Sequence, residues 1–136
     1  MAKAIRVIVK SESGYFSGPR AVNEKMIVTD KSVSYKMKPM YILDESLNYK
    51  WSYKIDSVMH RQNFDNLVLA AQNVIENSEI EHFLDCGYLS IEVVYDDKTR
   101  IKYEDYVPIS TFTELTHFLK EFVPHFEMVP PFLDSD

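Results

Sequence analysis

Residues 88–107, YLSIEVVYDDKTRIKYEDYV, decide the fold. Leu89, Ile91, Val93 and Tyr95 share one face of an extended segment, and Ile101 and Tyr103 share one face of the next. That is the period of two expected of strands covered on one side. Between them, Asp96, Asp97, Lys98 and Thr99 supply turn chemistry, so the stretch reads as an antiparallel hairpin.

Upstream the same period recurs. In AIRVIVKS, Ile5, Val7 and Val9 alternate on one face while Ile8 makes the other face apolar too, the pattern of a well-covered strand. Met26 and Val28, then Val33, Tyr35 and Met37, flank Asp30-Lys31 as a second hairpin, with Ser34, Lys36 and Lys38 opposite and Pro39 ending the run. In YKWSYKI, Trp51, Tyr53 and Ile55 point one way and Lys50, Ser52 and Lys54 the other.

The period then changes to that of a helix. Phe64, Leu67, Val68, Ala71 and Ile75 form one stripe of an amphipathic segment, with Asn63 as the expected N-cap and Asn77 as its stop. Ser78 and Glu81 have capping-box spacing for a second short helix or a kinked continuation, and Gly87 suits the residue after it. Downstream of the 88–107 hairpin, Thr111 and Glu114 have the spacing of a second capping box. The apolar face there is Phe112, Leu115, Phe118, Leu119, Phe122 and Val123, and Pro124 is the stop. Strands joined by hairpins form antiparallel sheets, and a sheet with one apolar face needs a covering layer. The expectation is therefore one α+β domain over residues 1–136. It has a single antiparallel sheet of four to six strands with two main helices packed on one face, in the order β-ββ-β-α-ββ-α.

A chain of 136 residues is long enough for one sizeable core. Its 46% hydrophobic and 26% charged content is ordinary globular usage. The longest apolar run near the N-terminus is too short for a signal segment or a membrane span, and a lone cysteine forms no internal disulfide or cysteine-based zinc site. Those readings point to a cytoplasmic protein with no membrane role. The net charge of −6 hides an asymmetry: residues 1–61 carry eleven Lys and Arg against six Asp and Glu, and residues 62–136 carry four against fifteen. An acidic chain of this kind is a poor nucleic-acid binder, because phosphate contacts need clustered basic groups.

Candidate chemistry is sparse. Cys86 sits where a helix is expected to end, the wrong pole of the helix dipole for a thiolate. Asp85 is beside it and only His82 lies a turn away, so it reads as a junction residue and not a nucleophile. Glu79 with His82, and Glu114 with His117, have the Glu-x-x-His spacing of di-iron carboxylate bundles. Such a bundle requires four helices around the metal, so no metal and no cofactor is expected. GYFSGP lacks the lysine of a phosphate loop and reads as a bend. Tyr88 and Tyr106, on the face opposite the core stripe, together with Tyr41 and Tyr49, suggest an aromatic patch on the outer sheet or simple cross-strand pairs.

Two functional classes follow. The first is a non-enzymatic protein-binding or regulatory module, an acidic inhibitor or immunity-type protein among its forms. It would use Glu76, Glu79, Glu81, Asp96, Asp97, Glu104 and Asp105 to meet a basic protein partner, or a second copy of itself. The alternative is a small-ligand-binding domain or enzyme, with a pocket between sheet and helices lined by Trp51, Tyr53 and Phe64.

Overall fold

A computed structural model of the chain describes residues 2–12, 22–39, 49–78, 87–107, 109–124 and 130–133. The expected α+β architecture is present: one antiparallel sheet and two helices. The strands are β1 (Ala4–Glu12), β2 (Val22–Val28), β3 (Ser32–Pro39), β4 (Tyr49–Lys54), β5 (Tyr88–Tyr95) and β6 (Arg100–Asp105). Helix α1 (Val58–Asn77) separates β4 from β5, and α2 (Thr113–Lys120) follows β6.

The sheet has six strands in the order β4-β3-β2-β1-β5-β6. The first four strands form a meander, so β4 is one edge. Helix α1 carries the chain back across the sheet, and β5 adds to the free side of β1. β2 and β1 are therefore the central strands, and β5, covered by β1 and β6 on its two sides, is buried from Leu89 to Val94, its outer-face Ser90 and Glu92 included.

The inner face is the core. Val7, Val9, Met26, Val28, Val33, Tyr35, Leu89, Ile91 and Val93 meet Phe64, Leu67, Ala71 and Val74 of α1, with Leu115, Leu119 and Phe122 closing the layer. α1 lies on β1, β5 and β6, whereas α2 packs on α1 and on the short 3-10 turns Ile109–Thr111 and Pro131–Leu133. Burial of each large apolar side chain contributes about 1.5–3 kcal/mol.

Three local expectations differ from the structure. α1 starts one and a half turns before Asn63: the Ser57 hydroxyl accepts from the His60 N–H and caps it. Val58 and Met59 are exposed, so the first turn adds nothing to the apolar stripe that marks the helix in the sequence. Its buried member there is His60, whose Nε2 donates to the Thr29 carbonyl at 2.9 Å and ties the helix to the β2–β3 turn. The Thr111–Glu114 capping box does not form. Thr111 belongs to a 3-10 turn, and Phe112 precedes α2 without a side-chain cap. Instead, the Thr116 hydroxyl bonds back to the carbonyls of Phe112 and Ile109. Finally, Ile5 is 39% exposed because the β1–β5 register shifts between Ala4 and Arg6, and Ile55 is exposed because β4 has ended at Lys54.

Candidate functional site

The residues singled out in the sequence that the structure describes do not converge on one place. Tyr88 and Tyr106 do meet, edge to face at 5.6 Å, as a pair on the outer side of the β5–β6 end. Tyr49 is not with them: it lies on the inner face of β4 against Tyr35, and Tyr41 is outside the described residues. Trp51 and Tyr53 stack at 6.1 Å on the inner face, and the Tyr53 hydroxyl donates to the Phe122 carbonyl at 2.6 Å. Burial raises the Tyr53 phenol to about 12. Phe64 is fully buried, so these rings are themselves part of the packed core.

The acids are dispersed and structural. Glu79 and Glu81, with Cys86 and His82, lie outside the described residues. Asp96 accepts from the Lys3 N–H, and Asp97 accepts from both the N–H and the hydroxyl of Thr99; the Thr99 side chain holds the Asp97 carboxyl below its ordinary range. These bonds stabilise a hairpin in which Lys98 takes a left-handed φ of 71°. Glu104 is 3.5 Å from Lys102, Asp105 is buried on the inner side, and Glu76 is exposed on α1. Glu114 and His117 are exposed, and His117 approaches Glu121 at 3.9 Å. Among the described residues, no group of three or more His, Cys, Asp or Glu is arranged to hold a metal ion.

The feature that does converge is basic. On the outer face, Lys10 of β1 stands opposite Lys25 of β2, Lys25 opposite Lys36 of β3, and Lys36 opposite Lys50 of β4. Four lysines thus form one row across four adjacent strands. Three strand spacings give the row a length of about 14 Å. All four are exposed, Lys38 lies two residues beyond Lys36 on the same face, and Lys54 and Arg6 share that face. By alternation, the single carboxylate on the outer side of β1–β4 is Glu12, at the strand end. None of the row makes an ion pair with another described residue. Like charges directly opposite on a sheet are destabilising. The crowding registers at Lys36, whose ammonium is held below the usual lysine range, first by the side chain of Lys38 and then by Lys50 and Lys25.

Beside this row lies a second one, Ile27 opposite Ser34 and Ser34 opposite Ser52. Between the rows is an open depression of about 490 Å³ lined by Lys25, Lys36, Lys50, Ser34, Ser52 and Ile27, with Tyr35 and Trp51, whose side chains are buried, completing the lining. Its walls are ammonium groups, and its floor offers two hydroxyls and one apolar side chain.

Beneath the same strands the inner face holds a buried acid. Glu24 is 3% exposed and accepts a 2.6 Å bond from the Tyr35 hydroxyl and a longer one, 3.4 Å, from the Phe132 N–H. Desolvation raises its carboxyl to about 7, against the lowering effect of those two donors. Burial and the adjacent Glu24 carboxyl also push the Tyr35 phenol far above its usual range. Glu24 Oε2 and Trp51 Nε1 have no hydrogen-bond partner among the described residues. The sequence did carry a signal for Glu24: it shares parity with Val22, Met26 and Val28.

No protein-family model, curated protein or solved structure matches the chain. No helix among the described residues is long and apolar enough to cross a membrane.

Proposed function

We propose that this chain is a non-enzymatic binding module that recognises an acidic protein partner through the outer face of β1–β4. The observation that carries this reading is the Lys10–Lys25–Lys36–Lys50 row. A row of ammonium groups in direct opposition, with no ion-pair partner among the described residues, costs the fold stability, and a complementary negative surface offsets that cost while steering association. The electrostatic asymmetry expected from the sequence keeps its role, with the working sign reversed. Asp96 accepts from the Lys3 N–H, Asp97 is bonded within its own hairpin and Glu104 lies near Lys102, whereas the lysines of the row make no ion pair with another described residue.

The test is a titration with a short glutamate-rich peptide, followed by fluorescence anisotropy at low salt and at about 0.3 M salt, where exposed charges are strongly screened. Binding that weakens with salt, and is lost in the combined variant Lys25→Ala, Lys36→Ala, Lys50→Ala, is the expected outcome. Equal binding by that variant overturns the proposal.

A further inference from the structure

We infer that the depression between the lysine and serine rows is a binding site for a phosphate monoester dianion, presented as a phosphorylated serine or threonine within the acidic partner segment. The inference rests on the reading of β1–β4 as the docking face for an acidic partner, and specifies the chemistry at its centre.

The lining of the depression separates a phosphate from a carboxylate. Lys25, Lys36 and Lys50 come from three adjacent strands in direct register, so their ammonium groups approach one volume from three backbones. Each is a compact point charge with three donors and no preferred plane. The fork of an arginine matches carboxylate and phosphate alike, and no arginine lines the depression, so a group bound there meets point charges only. A tetrahedral dianion, with acceptor oxygens on all sides, suits convergent point charges better. Ser34 and Ser52 face each other at the floor and add two neutral donors. A carboxylate held by three ammonium groups would leave these hydroxyls little to do, whereas the additional oxygens of a phosphate can accept from them.

Charge balance supports the same class. Lys36 is already held below its ordinary range by neighbouring lysines, so a divalent group relieves more repulsion than a monovalent one. The row continues past the depression to Lys10, and Lys38 lies beside it, leaving cations on either side for flanking acidic residues of an extended segment. Among the described residues the aromatic side chains of β1–β4 have inner-face parity, and the two that border the depression, Tyr35 and Trp51, are buried, so no described ring is exposed on the outer face of these strands for a nucleotide base to stack on. That favours a protein-borne phosphate over a single-stranded nucleic acid.

The experiment compares two fluorescent peptides of equal net charge on the intact chain. One has a central phosphoserine flanked by glutamates; in the other, two glutamates replace the phosphoserine. The phosphopeptide should bind about tenfold tighter, the equivalent of one additional charge-assisted hydrogen bond. In the Ser34→Ala, Ser52→Ala variant, which retains every lysine, this preference should vanish while affinity for the glutamate peptide is unchanged. Equal binding of the two peptides by the unaltered chain overturns the phosphate assignment and leaves the acidic-partner reading standing. Binding of neither overturns both. Inorganic phosphate displacing the phosphopeptide at equal concentration overturns the peptide source, because the flanking lysines would then contribute nothing.

Discussion

The outer face of the sheet is built in two ways. On β5 and β6 the charges are matched: Glu92 is buried and receives Arg100 at 2.6 Å, Glu92 also stands opposite Lys102, and Glu104 lies 3.5 Å from Lys102. Tyr88 and Tyr106 close the end of that half by packing on each other. On β1–β4, which begin at the strand next to β5, lysine faces lysine across every pair of strands. A face kept charged only for solubility has no reason to treat its two halves so differently. Mixed signs serve as well for that purpose, and they add cross-strand attraction instead of repulsion. The difference teaches that β5–β6 matches its charges among the described residues, while the lysine row of β1–β4 has no ion-pair partner among them, and the proposed docking face rests on that contrast.

The largest effect that sharpens this contrast lies beneath the lysine half. Glu24 has a folded-state value of about 7 against an ordinary 4.5, so the folded chain holds the proton more tightly than the unfolded chain does. Its stabilising contribution is fully present below pH 4.5, falls as pH rises towards 7, and is gone above it. A shift of that size corresponds to about 3 kcal/mol. Urea midpoints measured from pH 4.5 to 8 should fall along this window in the parent chain and fall much less in Glu24→Gln. A parent stability that rises with pH across the same window contradicts the assignment.

The next effect lies in the matched half. Glu92 is buried and its partner Arg100 is largely exposed, so Glu92→Ala removes a charge-assisted bond at the buried end and should lower stability by about 2 kcal/mol. Lys36→Ala in the lysine half should do the opposite and raise the melting temperature slightly, because it removes a repelled charge. Equal losses from the two substitutions would break the contrast.

The fold was legible because its main elements obey simple periods. Val33, Tyr35 and Met37 alternate and are buried, as are Leu89, Ile91 and Val93, and the Phe64–Leu67–Ala71 stripe lies in the core. Helix ends were less legible because capping is local. Ser57 caps a first turn whose residues Val58 and Met59 are exposed, and the expected Thr111 box lost to a 3-10 turn. The site was visible only in part. The outward alternation of Lys36 and Lys38, and of Lys50 and Lys54, was plain in the sequence, as was the basic first half. That Lys10, Lys25, Lys36 and Lys50 stand in one row depends on strand order and on three registers at once, and no period within a segment reports a pairing between segments. The acids show the same limit: Asp97 bonds the Thr99 hydroxyl and N–H and Asp96 the Lys3 N–H, and charge counting does not report which acids are engaged in a turn.

The most direct test of the account is a nitrogen-15 NMR titration of the intact chain with the glutamate-rich peptide at low salt. The account predicts that backbone amide shifts concentrate at Lys10, Lys25, Ser34, Lys36, Lys50 and Ser52, while those of Glu92, Lys102, Glu104 and Tyr106 stay in place. Shifts centred on β5–β6, or spread evenly over the sheet, would contradict it.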